Sequence, residues 1–223
     1  MSNIVVISRF KEEVGWVSKI DREKFKIIIY NKGPDLELDG VEIIKLKNVG
    51  READTYLHHM IENYNFISNE DRLFFLQGNP FDHSFDLSLL QKHLDSKQNF
   101  IPFGNRFAEV VGSRLGNDFP NGLPIIEFCK MLFSRVNIER GSFIKYYPGA
   151  QFSVTGSCIK NRHVEFYKFI KAYNARFNPL EAHLLERLWE TIFNDKIVDN
   201  ISNYEKSKAK CLENAVWGGN KIE

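Results

Sequence analysis

The sequence predicts an α/β fold, a single domain with a mainly parallel central sheet flanked by helices. Three observations carry that prediction. Short β-branched or aromatic runs alternate with amphipathic stretches from the start of the chain, as in strand–helix–strand units. Two of the runs, residues 3–8 (NIVVIS) and 73–76 (LFFL), carry little or no polar alternation, the pattern of strands covered on both faces. Polar clusters follow these runs, and open α/β sheets bind ligands just beyond the carboxyl ends of their strands.

The elements follow in order. Residues 3–8 form a buried strand, and residues 9–13 a polar loop at its end. Val14, Trp16, Val17 and Ile20 mark a short helix. Residues 25–30 (FKIIIY) make a second strand, closed by Asn31-Lys32-Gly33-Pro34, a strong turn signal. Residues 41–46 (VEIIKL) alternate and make a third strand, nearer an edge. Over residues 52–66, Ala53, Tyr56, Leu57, Met60, Ile61 and Tyr64 recur at spacings of three and four, one face of a helix. The turn Asn48-Val49-Gly50 leads into it, with Asn48 a candidate cap. The strand at 73–76 ends in Gln77-Gly78-Asn79-Pro80-Phe81-Asp82-His83, dense in hydrogen-bonding groups.

Beyond His83 the order is less regular. A short helix is expected at 87–94 and a short strand at 99–104. Residues 106–122, rich in Gly, Asn and Asp, read as a long loop. A helix over 123–133 carries Pro124 near its start, where proline is tolerated. Residues 142–147 form a strand turned by Pro148-Gly149, and 150–154 another. Residues 164–177 and 179–193 are amphipathic helices. The domain spans residues 1–195, and residues 196–223 form a polar, lysine-rich tail or the start of a linker.

A chain of 223 residues, 43% hydrophobic, supports one full core. A net charge of +1 offers no field for nucleic acid or an anionic membrane. No apolar run approaches the roughly 20 residues that cross a bilayer. The N-terminus enters a strand directly and is not a signal peptide. Cys129, Cys158 and Cys211 fit no zinc spacing and cannot all pair, as expected of free thiols in a reducing compartment. The expectation is a soluble, cytoplasmic protein with no nucleic-acid partner and no membrane insertion.

Four constellations carry chemistry, each with a plain alternative. Gln77, Gly78, Asn79, Asp82 and His83 suit a divalent cation or the ribose and diphosphate of a nucleotide; equally, they suit a tight turn that caps its own backbone. Arg51, Glu52 and Asp54 follow a turn that opens a helix, a place where free N–H groups bind anions, or else they form a solvated face. Arg9, with Glu12 and Glu13, lies on the same sheet edge as Gln77 and suits a diphosphate or a base edge, or a surface ion pair. Glu181, His183 and Glu186 sit on one helix but cannot share one face; one carboxylate suits a general base, against the alternative of solvated charges. His58 and His59 are adjacent, so at most one of them faces a site. Nucleophile elbows, P-loops and dinucleotide fingerprints are absent from the sequence.

Four separated segments carry a resemblance. They are Gly50-Arg51-Glu52-Ala53 after Asn48-Val49; Gln77-Gly78-Asn79-Pro80-Phe81-Asp82-His83; Tyr147-Pro148-Gly149-Ala150-Gln151-Phe152-Ser153-Val154; and Glu186-Arg187-Leu188-Trp189, followed by Ile192-Phe193. Together they resemble GT-A glycosyltransferases, and most of all an uncharacterised GT-A-allied family with Gly-Arg-Glu-Ala and Gln-Gly-x-Pro-Phe-Asp-His motifs. Related domains occur in glycosyltransferases of large algal viruses, which for such a chain implies the host cytoplasm.

The resemblance spans roughly residues 4–193. It implies a GT-A-like domain that moves a sugar from a nucleoside-diphosphate donor, a UDP-sugar, to a hydroxyl of a glycan or glycoprotein acceptor, with inversion. It implies donor contacts from Arg9, Arg51, Asp54, Gln77, Gly78 and Asn79. Acceptor contacts come from Gly149, Ala150 and Gln151, with a lid at 106–122. Glu186 is implied as the base, with Glu181 second. Where GT-A enzymes carry Asp-x-Asp this chain has Gln77-Gly78-Asn79, so a manganese or magnesium ion would rely on Asp82 and Asn79, and metal use stays open. A non-catalytic or degenerate sugar-nucleotide-binding module is the first alternative, and a nucleotidyltransferase or other α/β enzyme the second.

Overall fold

The structure is a computed structural model that describes residues 1–83, 85–104, 108–111, 125–133, 143–175 and 179–193. Among the described residues, eight strands run in chain order: β1 (Asn3–Arg9), β2 (Lys26–Asn31), β3 (Glu42–Lys45), β4 (Arg72–Gln77), β5 (Phe100–Pro102), β6 (Ala108–Val111), β7 (Phe143–Tyr146) and β8 (Phe152–Thr155). Six of them form one mixed sheet in the order β3-β2-β1-β4-β8-β5. The pairs among β3, β2, β1 and β4 are parallel, while β8 runs antiparallel to both β4 and β5. Strands β6 and β7 pair antiparallel as a separate ribbon.

Helices α1 (Arg51–Glu62), α2 (Ser88–Leu94), α3 (Ile125–Leu132), α4 (Gly156–Lys160), α5 (Val164–Asn174) and α6 (Leu180–Ile192) complete the fold, with 3-10 turns at Gly15–Lys19 and Pro80–His83. The apolar strands face two ways. Val6, Tyr30, Leu73, Phe75 and Phe152 point into a large core with Tyr56 and Leu57 of α1, Phe166 and Ile170 of α5, and Leu188 and Trp189 of α6. Val5, Ile7, Ile29, Phe74 and Leu76 point into a second core with Val17, Phe25, Phe85, Leu90 and Phe103. Double coverage is why β1, β2 and β4 read as near-continuous apolar runs: their neighbours fill both sides of the pleat. Strand β3 lies at the edge, and its residues are half-buried or exposed.

The structure refines several expectations. The helix expected over 52–66 begins at Arg51 and ends at Glu62, and its cap residue is Gly50 in the left-handed region, not Asn48. Strand β6 occupies part of the expected 106–122 loop, and residues 112–122 of that candidate lid lie outside the described residues. Helix α4 and the turn at Pro80–His83 were not expected. Cys129 and Cys158 are buried and joined in no disulfide; Cys211 and the tail at 196–223 lie outside the described residues. Among the described residues, no helix is long and apolar enough to cross a membrane.

Candidate functional site

The sheet order creates a crevice. From β1 the chain moves outward to β2 and β3, then returns to lay β4 on the other side of β1. Loops therefore leave the carboxyl ends of β1 and β4 in opposite directions, the switch point where α/β sheets bind ligands. The pairings Ser8 with Gln77, Ser8 with Tyr30 and Arg9 with Asn31 set these residues on one rim. There the structure holds an open cleft of about 340 Å³, lined by Arg9, Phe10, Glu12, Lys32, Arg51, Glu52 and Gln77 among others.

One side of the cleft is the first turn of α1. Gly50 (φ 65) and Arg51 (φ 51) are consecutive left-handed residues. A Cβ on Gly50 would lie 2.4 Å from Asp54 Cβ and 2.6 Å from the Asn174 carbonyl oxygen, so glycine is required there. Arg51 adopts the same region without that freedom, a conformation that persists only where its surroundings enforce it. Lys32 does so. Its Nζ donates to the carbonyls of Val49 and Arg51, each at 2.6 Å, and pairs with Asp54 Oδ2 at 3.2 Å. Lys171 pairs with the other Asp54 oxygen, and Asn174 Nδ2 donates to the Gly50 carbonyl at 2.8 Å. Burial holds the Lys32 ammonium below its ordinary pKa, while Asp54 pulls the other way. Asp54 is thus an interior counter-ion between two lysines and does not line the cleft.

Glu52 takes the cleft position instead. Its side chain is 12% exposed, and Oε2 lies 3.6 Å from Arg51 Nε. Burial pushes its carboxyl above the usual range; Arg51 and a hydrogen bond from the Glu52 backbone N–H oppose the rise, and the Glu186 carboxylate adds to it.

The far wall is built from β8 and α6. Because β8 runs antiparallel to β4, with Phe75 opposite Phe152, the residues just before β8 arrive beside Gln77. Gln77 Nε2 donates to the Gly149 carbonyl at 2.8 Å, and Gln77 N–H donates to Gln151 Oε1 at 3.2 Å. Gln151 Nε2 continues to the Pro80 carbonyl at 3.0 Å. Gly149 N–H donates to Glu186 Oε1 at 2.7 Å, and Arg187 Nη1 reaches Glu186 Oε2 at 2.9 Å and the His183 carbonyl at 2.6 Å. His183 Nε2 lies 3.3 Å from Arg51 Nη1, which closes the path back to α1. Ala150, the second non-glycine residue with positive φ (51°), sits in this wall. Behind it is a small recess of about 20 Å³, lined by Tyr146, Tyr147, Ala150, Gln151, Glu186 and Trp189 among others.

The structure therefore brings together Arg51, Gln77, Gly149, Ala150, Gln151 and Glu186. It treats the other expected residues differently. Arg9 lines the cleft but is buried and engaged, donating to Asn31 Oδ1 at 2.8 Å and to the carbonyls of Pro34 and Glu12 at 3.0 Å. Gly78 is pressed against Glu12, and its carbonyl accepts from Trp16 Nε1 at 2.9 Å. Asn79 is half-buried and Asp82 exposed, and neither lines the cleft. Glu181 is 2% exposed and lines neither recess. Among the described residues, no three of His, Cys, Asp and Glu gather as a metal-binding group.

Sequence reasoning singled out Glu52 with its neighbours but favoured Asp54 for the donor. The two flank the apolar stripe of α1 on opposite sides, so periodicity alone does not separate them. Lys32 belongs in sequence to the turn Asn31-Lys32-Gly33-Pro34, and a lysine there, at the end of a buried strand, is the one signal of its role. Comparison with protein-family models and with curated proteins finds no match for the chain.

Proposed function

We propose that the chain is a GT-A-like glycosyltransferase that binds a nucleoside-diphosphate sugar, a UDP-sugar, in the switch-point cleft and passes the sugar to a hydroxyl of a glycan. One observation carries this reading. Residues from all four resemblance segments join a single hydrogen-bonded path, from Arg51 through His183, Arg187, Glu186, Gly149, Gln77 and Gln151 to the Pro80 carbonyl. Segments far apart in sequence meet at the one sheet edge where an α/β fold takes a nucleotide.

The chemistry suits that place. A leaving diphosphate needs positive charge and N–H donors as the glycosidic bond breaks. The cap of α1, Gly50, places no side-chain acceptor over the first turn, and Arg51 stands beside it, although the Glu52 carboxylate takes its own N–H there. At about 340 Å³ the cleft lies in the size range of small-molecule sites. The recess itself is about the size of one water molecule; we assign the surface around it, with Tyr146, Tyr147 and Trp189 near Glu186, to the acceptor. A degenerate sugar-nucleotide-binding module is the second reading, favoured by Asn79 and Asp82 standing away from the cleft.

The test is thermal unfolding with UDP, GDP, dTDP and their hexose conjugates, each with and without Mn²⁺. A ligand at 100 times its Kd raises stability by about 2.7 kcal/mol. The expected result is a higher Tm with one nucleotide, lost in Arg51→Ala. An unmoved Tm across the panel overturns the reading. A shift without transfer to any acceptor selects the binding module.

A further inference from the structure

We propose that Glu52 is the carboxylate that takes the proton from the acceptor hydroxyl as the sugar is transferred. The inference rests on the glycosyl-transfer reading of the cleft and adds a catalytic residue to it.

The argument starts from what the carboxylates around the cleft are already doing. Glu186 has both oxygens committed, one to the Gly149 N–H at 2.7 Å and the other to Arg187 at 2.9 Å. Turning it toward a substrate would release the wall that fixes Gln77. Glu12 Oε2 accepts from the backbone N–H groups of Phe10 and Lys11, at 2.6 and 3.0 Å. Asp54 is buried between Lys32 and Lys171. Glu52 lines the cleft, as Glu12 does, but its partners are local: its own backbone N–H, and Arg51, whose Nε stands 3.6 Å away, so the carboxylate can rotate without dismantling the fold.

Position supports the same assignment. Glu52 lies on the cleft side and Glu186 lines the recess on the other side of the wall, close enough for the two charges to repel. A proton acceptor belongs where a donor site meets an acceptor site. A carboxyl held in a dry setting next to a like charge also binds a proton more readily than an exposed one, which suits a base.

The step balances. The acceptor O–H bond breaks and its proton passes to a Glu52 oxygen. The acceptor oxygen bonds to the anomeric carbon as the bond from that carbon to the diphosphate oxygen breaks, with its electron pair leaving on the diphosphate. Glu52 later returns the proton to solvent.

The experiment compares wild type, Glu52→Gln and Glu52→Asp, using the UDP, GDP and dTDP hexose panel. Melting reads donor binding, and release of the nucleoside diphosphate reads turnover. Glu52→Gln should keep the donor-induced rise in Tm and lose about 100-fold or more in kcat, the scale of general-base catalysis. The acidic limb of the wild-type pH–rate profile should disappear with it. Glu52→Asp should keep partial activity with that limb displaced, and it decides the matter if Glu52→Gln does not fold. Wild-type turnover in Glu52→Gln overturns the proposal. So does loss of its donor shift, which would make Glu52 a binding group. Donor binding with no wild-type turnover also removes the base. An absence of any donor shift in wild type is a different result: it sinks the reading of the cleft, and the base falls with it.

Discussion

Gly50 and Arg51 show how one buried lysine shapes the cleft that it lines. Two left-handed residues in succession leave the Val49 and Arg51 carbonyls pointing inward, and Lys32 gathers both. Its third partner, Asp54, lies one turn into the helix, so the cluster ties the turn to α1. Replacing Gly50 by alanine puts a Cβ into Asp54 and the Asn174 carbonyl in a conformation alanine resists. Gly50→Ala should therefore lose more than about 1 kcal/mol, read by denaturant unfolding. The sequence made Arg51 legible, because a basic residue just after a glycine turn suggests an anion site. It left Glu52 and Asp54 undivided, because the partner that claims Asp54 comes from a strand end about twenty residues earlier, and no local pattern records that.

At the scale of elements, β8 organises the far half of the molecule. Phe152 packs against Phe75 at 5.1 Å, Trp189 at 5.3 Å, Phe100 at 5.2 Å and Phe193 at 5.5 Å between ring centroids. Phe152→Ala should cost about 3–5 kcal/mol in unfolding free energy, because so rigid an aromatic cluster closes poorly around a void. The same elements mark what could be read beforehand. Strands β1, β2 and β4 were legible because burial on both faces writes itself as an apolar run. That β8 enters between β4 and β5, antiparallel to both, was not legible: a run such as FSVT records burial but not which strand it will pair with or in which direction. The turn at Pro80–His83 and the five-residue helix α4 are too short to leave a period. The two helices expected over 164–177 and 179–193, by contrast, stand as Val164–Asn174 and Leu180–Ile192 because α5 and α6 each bury an apolar stripe.

Across the whole molecule, two buried histidines couple stability to acidity. His59, with Nδ1 at 2.9 Å from Tyr30 Oη, has its pKa pushed down to about 3 by burial. His93, with Nδ1 at 3.0 Å from Ser153 Oγ and stacked on Phe103, is pushed down to about 4 by burial. In the unfolded chain both take up a proton near the ordinary value of 6.5, while the folded chain resists until the lower value. The unfolded state therefore binds more protons in that window, and stability falls as pH drops below 6.5. Each histidine contributes a slope of about 1.4 kcal/mol per pH unit. Urea unfolding of His93→Gln at stations between pH 6.5 and 4 should show a slope shallower than wild type by that amount; parallel slopes would refute the linkage.

The hydrogen-bonded path at the cleft also sets an order of assembly. Arg51 and His183 are 132 positions apart, and Gln77 and Gly149 are 72 apart. A growing chain can lay β1 to β4 side by side while more than half of it is still to be made. The wall opposite α1 closes only after α6 has emerged and docked. The finished cleft is then a late event, and a chain interrupted before its last described helix carries the sheet without that wall. Formation of the Gln77–Gly149–Glu186 wall would thus report on completion of the fold itself.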